Sequence, residues 1–140
     1  MDAKDFVEAG PWGDVLTAAA LRAGVAGLVI GGAVRDAGAI VEMDFPVFCR
    51  GLSIKGTGKV HAGKVNVPVC IGDVVIRPGD IVVGDRDGLV IVSPEEAQSV
   101  LERARAREAK ESEYRAAIEK GASTAELLGL LPMLERMGLV

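Results

Sequence analysis

The stretch from Trp12 to Asp36 constrains the fold most, because it predicts a helix that is followed at once by a buried strand. Pro11 suits the first turn of a helix, an alanine-rich body follows, and Gly24 predicts its end. Residues 26–30, AGLVI, form a continuous apolar run between glycines, which is typical of a strand covered on both faces. A helix leading into such a strand is an α/β unit, so we predict an α/β fold.

The 18 glycines of the chain lie between short apolar runs, a pattern that indicates many short strands and tight turns. Further strands are predicted over residues 46–49, 64–70, 73–76, 80–83 and 88–92, after a short helix or turn over 37–44. With 140 residues and 49% hydrophobic content, the chain is long enough for one domain over residues 1–140.

Two helices are predicted in the carboxyl-terminal third. Ser93-Pro94-Glu95-Glu96 predicts a capped helix that begins at Pro94 and runs to about Lys120. Its inward stripe is predicted to be Ala97, Leu101, Ala104, Glu108, Glu111 and Ile118. The two carboxylates in this stripe indicate either that the second half projects into solvent or that it lends a carboxylate to a neighbouring subunit. A second capping box, Ser123 to Glu126, predicts a leucine-rich last helix before Pro132 that packs on the core or on another subunit.

Charge and composition exclude several classes of function. A net charge of −4 and an acidic pI argue against nucleic acid as the main partner. No signal peptide begins the sequence and no apolar run approaches the roughly 20 residues that cross a bilayer, so we expect a cytoplasmic protein without membrane contact. Cys49 and Cys70 are far apart and are expected to be buried small hydrophobic residues.

Three charged residues of the Trp12–Asp36 stretch are candidates for a functional site. Asp14 lies in the first helical turn, where a carboxylate serves as a cap or dipole partner or as a catalyst. Arg35 and Asp36 follow the buried strand, at the edge where α/β sheets place ligands. They could be a surface pair, but neighbours on an extended segment point to opposite sides, so we expect each to have its own partner. Gly31-Gly32 lets the backbone turn or approach a ligand closely.

Helix N–H groups beside an Arg and a carboxylate predict a site for an anion and a divalent cation. His61, the only histidine, has no Cys, Asp or Glu neighbour at metal-ligand spacing, so a ligand or base role is not favoured. The aspartates of the hairpin region do not form a calcium loop and are predicted to be turn formers: Asp73, Asp80, Asp85 and Asp87.

Five motifs carry a resemblance to a known family: WGDVL, GLVIGGAVRD, PVFCRG, GKVNVPVCIGDVVIRPGD and GDRDGLVIVSP. From roughly Gly10 to Glu113 the chain resembles the RraA-like family, which contains regulators of ribonuclease activity and 4-hydroxy-4-methyl-2-oxoglutarate aldolases. The resemblance implies a swivelling β/β/α-type domain in a homotrimer or hexamer with active sites between subunits. Family members usually carry further helix and strand segments before WGD, so it also implies a domain that lacks its amino-terminal segment.

The aldolase branch of the family is marked by an Asp, twenty intervening residues and then Arg-Asp, and Asp14 and Arg35-Asp36 have that spacing. By resemblance, Asp36 would bind Mg²⁺ or Mn²⁺ directly and Asp14 would hold a metal-bound water. Arg35 would contact the keto oxygen of a pyruvate unit, whose carboxylate would accept hydrogen bonds from the N–H groups of Val15 and Leu16.

The implied function is cleavage of 4-hydroxy-4-methyl-2-oxoglutarate or 4-carboxy-4-hydroxy-2-oxoadipate to pyruvate and a second keto acid, with oxaloacetate decarboxylation as a side activity. Glu111 of a neighbouring subunit would complete the site, with Glu108 as the next match. Many family aldolases have an acid three positions after the motif Asp, where this chain has Ala39. The alternative is a non-catalytic protein-binding module like the ribonuclease E regulators, which contact a protein partner and need no metal.

Overall fold

The computed structural model describes residues 1–60 and 62–139, and its chain divides into two compact units, Met1–Ser93 and Pro94–Val140. A division into compact units does not decide the prediction of one domain over residues 1–140, which stays a prediction. His61 lies outside the described residues, so the expectation about its role also stays a prediction.

The first unit combines two helices with short strands that pair in two different ways. Its elements are α1 (Asp14–Arg22), β1 (Leu28–Val29), β2 (Ala33–Val34), α2 (Ala37–Glu42), β3 (Val47–Phe48), β4 (Gly51–Leu52), β5 (Val69–Ile71), β6 (Val74–Ile76), β7 (Ile81–Gly84) and β8 (Leu89–Val92). β1 pairs with β3 and β2 with β4 in parallel, whereas β5–β6 and β7–β8 are antiparallel. The predicted α/β fold is confirmed.

The hairpins form where turn chemistry predicts them. Asp80 Oδ2 accepts a hydrogen bond from a backbone N–H three residues earlier at 2.7 Å, and Asp85 Oδ1 accepts one from two residues later at 2.8 Å. Gly79 and Gly88 supply positive φ angles of 97° and 155°. Asp80 and Asp85 are therefore turn formers, as predicted. The predicted strand over residues 64–70 is wrong in its extent, because regular pairing starts only at β5.

The core of the first unit contains side chains from both helices and from the parallel strands. Its buried cluster consists of Ala20, Leu28, Ile30, Val34, Ile40 and Phe45. Trp12 packs against this cluster and stacks on Phe45, with ring centroids 6.4 Å apart. The Trp12 indole N–H donates to Thr17 Oγ1 at 2.8 Å, and the fully buried Thr17 hydroxyl donates to the Gly13 carbonyl at 3.1 Å. These bonds fix the start of α1 against the core.

The Gly31-Gly32 pair is approached closely by the chain's own amino-terminal residues, and the approach of a ligand to this pair stays a prediction. A Cβ at Gly32 would lie 2.7 Å from the Cβ of Ala3, and the Asp5 N–H donates to the Gly31 carbonyl at 2.8 Å. Phe6 continues this contact as a parallel bridge to Gly32. Residues 3–6 therefore pack over the glycine pair, immediately before the strand that leads to Arg35.

The predicted burial of the two cysteines is wrong, because both Cys49 and Cys70 are exposed. In β5, the neighbours Val69 and Ile71 line an apolar cavity of about 540 Å³. Alternation of side chains along a strand then turns Cys70 to the opposite face.

The second unit consists of helices α3 (Ala97–Glu119), α4 (Thr124–Leu127) and α5 (Leu131–Arg136). The prediction that α3 begins at Pro94 is wrong, since a turn occupies residues 94–96. No residue of α3 is buried within this chain, and the packing of its predicted inward stripe on a neighbouring subunit stays a prediction. The Ser123–Glu126 capping box is confirmed, but Gly129, with a φ of 67°, separates α4 from α5 and places Pro132 inside the last helix. Among the described residues, no helix is both long and apolar enough to cross a bilayer.

Candidate functional site

The amino terminus of α1 forms one side of the candidate site. Gly13 is the N-cap residue in an extended conformation, and α1 begins at Asp14, three residues after Pro11. The Asp14 Oδ1 atom accepts a hydrogen bond from the Val15 N–H at 2.7 Å. Asp14 therefore accepts a hydrogen bond from a free N–H group in the first turn of its own helix, where the helix dipole favours a carboxylate.

Arg35 and Asp36 form the facing side of the site, and they are in contact with each other. Arg35 Nη1 donates to the Gly10 carbonyl at 2.9 Å, and Arg35 Nε lies 3.3 Å from Asp36 Oδ2. The prediction that the two side chains point apart is wrong, because Asp36 has φ 59° and ψ 34°. This left-handed conformation ends the extended segment after β2, so the alternation of a strand no longer applies.

Gly13 is the residue over which the two sides of the site meet. The Asp36 Oδ2 atom lies 3.4 Å from the Asp14 backbone nitrogen, which donates to it. A Cβ at Gly13 would collide with Asp36 Oδ2 and would lie 2.9 Å from Arg35 Cζ. The absence of a side chain at position 13 thus allows Arg35 and Asp36 to reach the start of α1.

The predicted substrate-binding residues share a cleft with Arg35. This cleft has a volume of about 650 Å³ and is lined by Pro11, Val15, Leu16, Arg35 and residues 56–59. Val15 and Leu16 are exposed. Among residues 1–60 and 62–139, no acceptor is bonded to the Leu16 N–H or to Arg35 Nη2. The cleft therefore offers a helix N–H group and a guanidinium N–H group to an anionic ligand.

The two carboxylates fit a hydrated hard cation better than a cage of protein ligands. Within the described part of the chain, no cluster of three or more His, Cys, Asp or Glu side chains could hold a metal. Mg²⁺ commonly binds through one or two carboxylates and keeps several waters. Asp36 has a partly exposed side chain, and its Oδ2 atom lies 3.4 Å from the backbone nitrogen of Asp14, the other acidic residue at this helix start.

Glu111, the predicted acid from a neighbouring subunit, lies on α3 in the second unit. Its Oε1 atom is 2.7 Å from Arg107 Nε, one helical turn earlier, and its side chain is 45% exposed. Glu108 is exposed. The contribution of either residue to an active site stays a prediction.

Sequence reasoning did not identify Gly10 and Gly13 as site residues. A Cβ at Gly10 would lie 2.7 Å from the backbone of Val34, next to the carbonyl that holds Arg35. The sequence signal was the presence of Gly10 and Gly13 on either side of Trp12, directly before α1. Neither glycine is needed for a turn at this point. Such a pattern indicates close packing of one backbone segment on another.

A family model described as RraA-like, Aldolase/RraA, matches residues 1–91 of the chain. A Halalkalibacterium halodurans protein named "Putative 4-hydroxy-4-methyl-2-oxoglutarate aldolase" is 38% identical over 118 residues, which cover 84% of this chain and 56% of that protein. The chain therefore spans little more than half the length of this relative.

Solved structures agree with this match. An uncharacterized protein from Pseudomonas syringae pv. tomato has a TM-score of 0.81 and 33% identity, over 90% of this chain and 64% of that one. Streptomyces coelicolor RraAS2, described as an unusual member of the RNase ES inhibitor RraA protein family, has a TM-score of 0.73 and 34% identity, over 81% and 58%. With the family model covering residues 1–91, the chain belongs to the RraA-like family and has its mixed helix and strand fold.

Proposed function

We propose that this chain is a divalent-metal-dependent aldolase of the RraA-like family. It would cleave 4-hydroxy-4-methyl-2-oxoglutarate or 4-carboxy-4-hydroxy-2-oxoadipate to pyruvate and a second keto acid, and it would decarboxylate oxaloacetate. The observation that carries the proposal is the meeting of Arg35, Asp36 and the start of α1 over Gly13, beside an open cleft. The name of the Halalkalibacterium halodurans relative supports the same class of reaction.

The chain's own residues would act on the charge that the reaction creates. Both reactions break a bond next to a 2-keto acid and leave negative charge on the enolate oxygen of pyruvate. Arg35 is held at Gly10 by one guanidinium nitrogen, which leaves its Nη2 atom for that oxygen. A donor fixed in advance at a developing negative charge stabilises the transition state more than the ground state.

The substrate carboxylate would bind at the start of α1, at the N–H groups of Val15 and Leu16. Asp36, directly, and Asp14, through water, are the residues that would hold Mg²⁺ or Mn²⁺. When bound, the cation supplies Lewis-acid stabilisation of the charge on the keto oxygen. We further propose that Glu111 of a neighbouring copy completes the site in a homotrimer or hexamer.

The test is pyruvate release from oxaloacetate and from 4-hydroxy-4-methyl-2-oxoglutarate, with added Mg²⁺ or Mn²⁺ and with chelator, against a blank without protein. Asp36→Asn keeps the side-chain shape and tolerates the left-handed backbone, so loss of activity would report loss of the carboxylate. Asp44→Asn is the matched control, because Asp44 is exposed and has a similar φ of 51°. Activity unaffected by chelator and by Asp36→Asn would refute the proposal.

A protein-binding regulator is the second candidate, because several apolar side chains outside the strands are exposed. Ile54 is 98% exposed and Val65 is 92% exposed. A protein partner that covered both side chains would bury this apolar surface. Inhibition of an RNase E-type endonuclease by the chain, together with no pyruvate release in the first assay, would favour this second function.

A further inference from the structure

The Val15 N–H group has two competing acceptors under the proposed function. In the structure it donates to the Asp14 carboxylate at 2.7 Å, yet it is also one of the two groups that would receive the substrate carboxylate. One N–H group cannot make a short hydrogen bond to both. The Leu16 N–H has no acceptor within residues 1–60 and 62–139, so only half of the anion site is open.

We propose that Asp14 is a gate that couples binding of the cation to binding of the keto acid. Without a cation, its carboxylate covers the Val15 N–H and adds a negative charge where the substrate carboxylate must bind. A divalent cation held at Asp36 attracts the Asp14 carboxylate away from Val15. The anion site then opens and loses its local repulsion. This inference rests on the proposed function and adds an order of binding, the cation first and the keto acid second.

The surroundings of Asp14 make such a movement feasible. Asp14 is only partly buried, and its side-chain hydrogen bond is to the backbone of the next residue, so its release breaks no hydrogen bond to another element. The Asp36 carboxylate lies at the same helix start, 3.4 Å from the Asp14 nitrogen. Because Asp36 is paired with Arg35, the charge that opposes an anion at the Val15 N–H is mainly that of the Asp14 carboxylate, until a cation offsets it.

The coupling has a measurable consequence in the absence of metal. If Asp14 covers the Val15 N–H in most molecules, the apparent affinity for pyruvate is reduced in proportion to the fraction of molecules in which this N–H is free. Asp14→Ala removes the cover, so pyruvate should bind the full chain about tenfold more tightly in chelator than it binds the wild type, within the usual range of coupling between sites. Asp14→Asn removes the charge but keeps an oxygen near the Val15 N–H, so its gain should be smaller.

The experiment is pyruvate titration of ¹⁵N-labelled wild type and variants by NMR, in chelator and then in Mg²⁺. The control is Asp14→Asn, which removes the same charge as Asp14→Ala but keeps an oxygen beside the Val15 N–H. Mg²⁺ alone should shift the Val15 amide resonance in the wild type and leave it unshifted in Asp14→Ala.

A gain in Asp14→Ala that clearly exceeds the gain in Asp14→Asn supports the gate. Equal gains would show that charge alone is responsible and would overturn it, as would no gain or no pyruvate binding by any variant. The proposed function is tested by a separate measurement, and it fails if the wild type with metal releases no pyruvate. Metal-free binding can reveal the gate even in that case.

Discussion

Replacing Gly13 with alanine should separate the geometry of the site from the stability of the fold. Gly13 has φ −156° and ψ −168°, a conformation that alanine adopts without strain. The new Cβ would fall within 3.0 Å of both Asp36 Oδ2 and Arg35 Cζ, a separation that real Cβ atoms essentially never show. Both atoms lie towards the free ends of their side chains, so they can move and the fold can persist. The carboxylate and the guanidinium of the proposed site would then be displaced together.

The expected loss of activity follows from the size of this displacement. The Asp36 carboxylate must retreat by at least about 0.6 Å to reach a 3.0 Å contact. A misplacement on the order of 1 Å can reduce a rate about 10²-fold, which equals about 2.7 kcal/mol of transition-state stabilisation. Alanine is a poorer N-cap than glycine by about 1 kcal/mol, too little to unfold a typical domain. We therefore expect kcat/KM for oxaloacetate to fall about 10²-fold while the protein stays folded.

The assay couples pyruvate release to NADH oxidation, with urea unfolding measured in parallel. The single tryptophan, Trp12, is adjacent to the substitution, so its fluorescence reports whether the start of α1 keeps its packing. Gly38→Ala is the matched control, because a Cβ at Gly38 in α2 meets nothing within 4 Å. Wild-type kcat/KM in Gly13→Ala, or an equal loss in Gly38→Ala, would refute the reasoning.

Three further predictions follow from the described contacts. Thr17→Val removes the acceptor of the Trp12 indole N–H, so urea unfolding should show a loss of about 1–3 kcal/mol, and an unchanged midpoint would contradict it. Arg35→Lys cannot keep the guanidinium contacts to both the Gly10 carbonyl and the Asp36 carboxylate, so kcat/KM for oxaloacetate should fall at least about 10²-fold without loss of fold. A near-normal kcat/KM would count against the proposed role of Arg35 at the keto oxygen. Hydrogen bonds from Ser123 hold the pKa of the Glu126 carboxyl below its usual 4.5. The capping box therefore stabilises α4 fully above pH 4.5, and this stabilisation is lost as the pH falls through the lowered pKa. In Glu126→Gln, helix content measured by circular dichroism should lose this acid dependence, and an identical pH profile would show that the cap is not its cause.

The candidate site could be predicted only in part from the sequence. The spacing of Asp14 and Arg35-Asp36 identified the charged residues, and the structure brings Asp36 to the start of α1. The sequence did not predict the contact between Arg35 and Asp36, because no local pattern specified the left-handed conformation of Asp36 that ends the extended segment. Gly13 was missed for the same reason. It matters because it lies close to Arg35 and Asp36, which are more than twenty positions away along the chain.

The sequence by itself determined what depends on neighbours along the chain. The Ser123–Glu126 capping box and the turns at Asp80 and Asp85 form as predicted, because their hydrogen bonds join residues two or three positions apart. Only the tertiary structure decided which groups pack together. It placed residues 3–6 over Gly31-Gly32 and exposed both cysteines, because burial depends on contacts between segments that local preference does not specify.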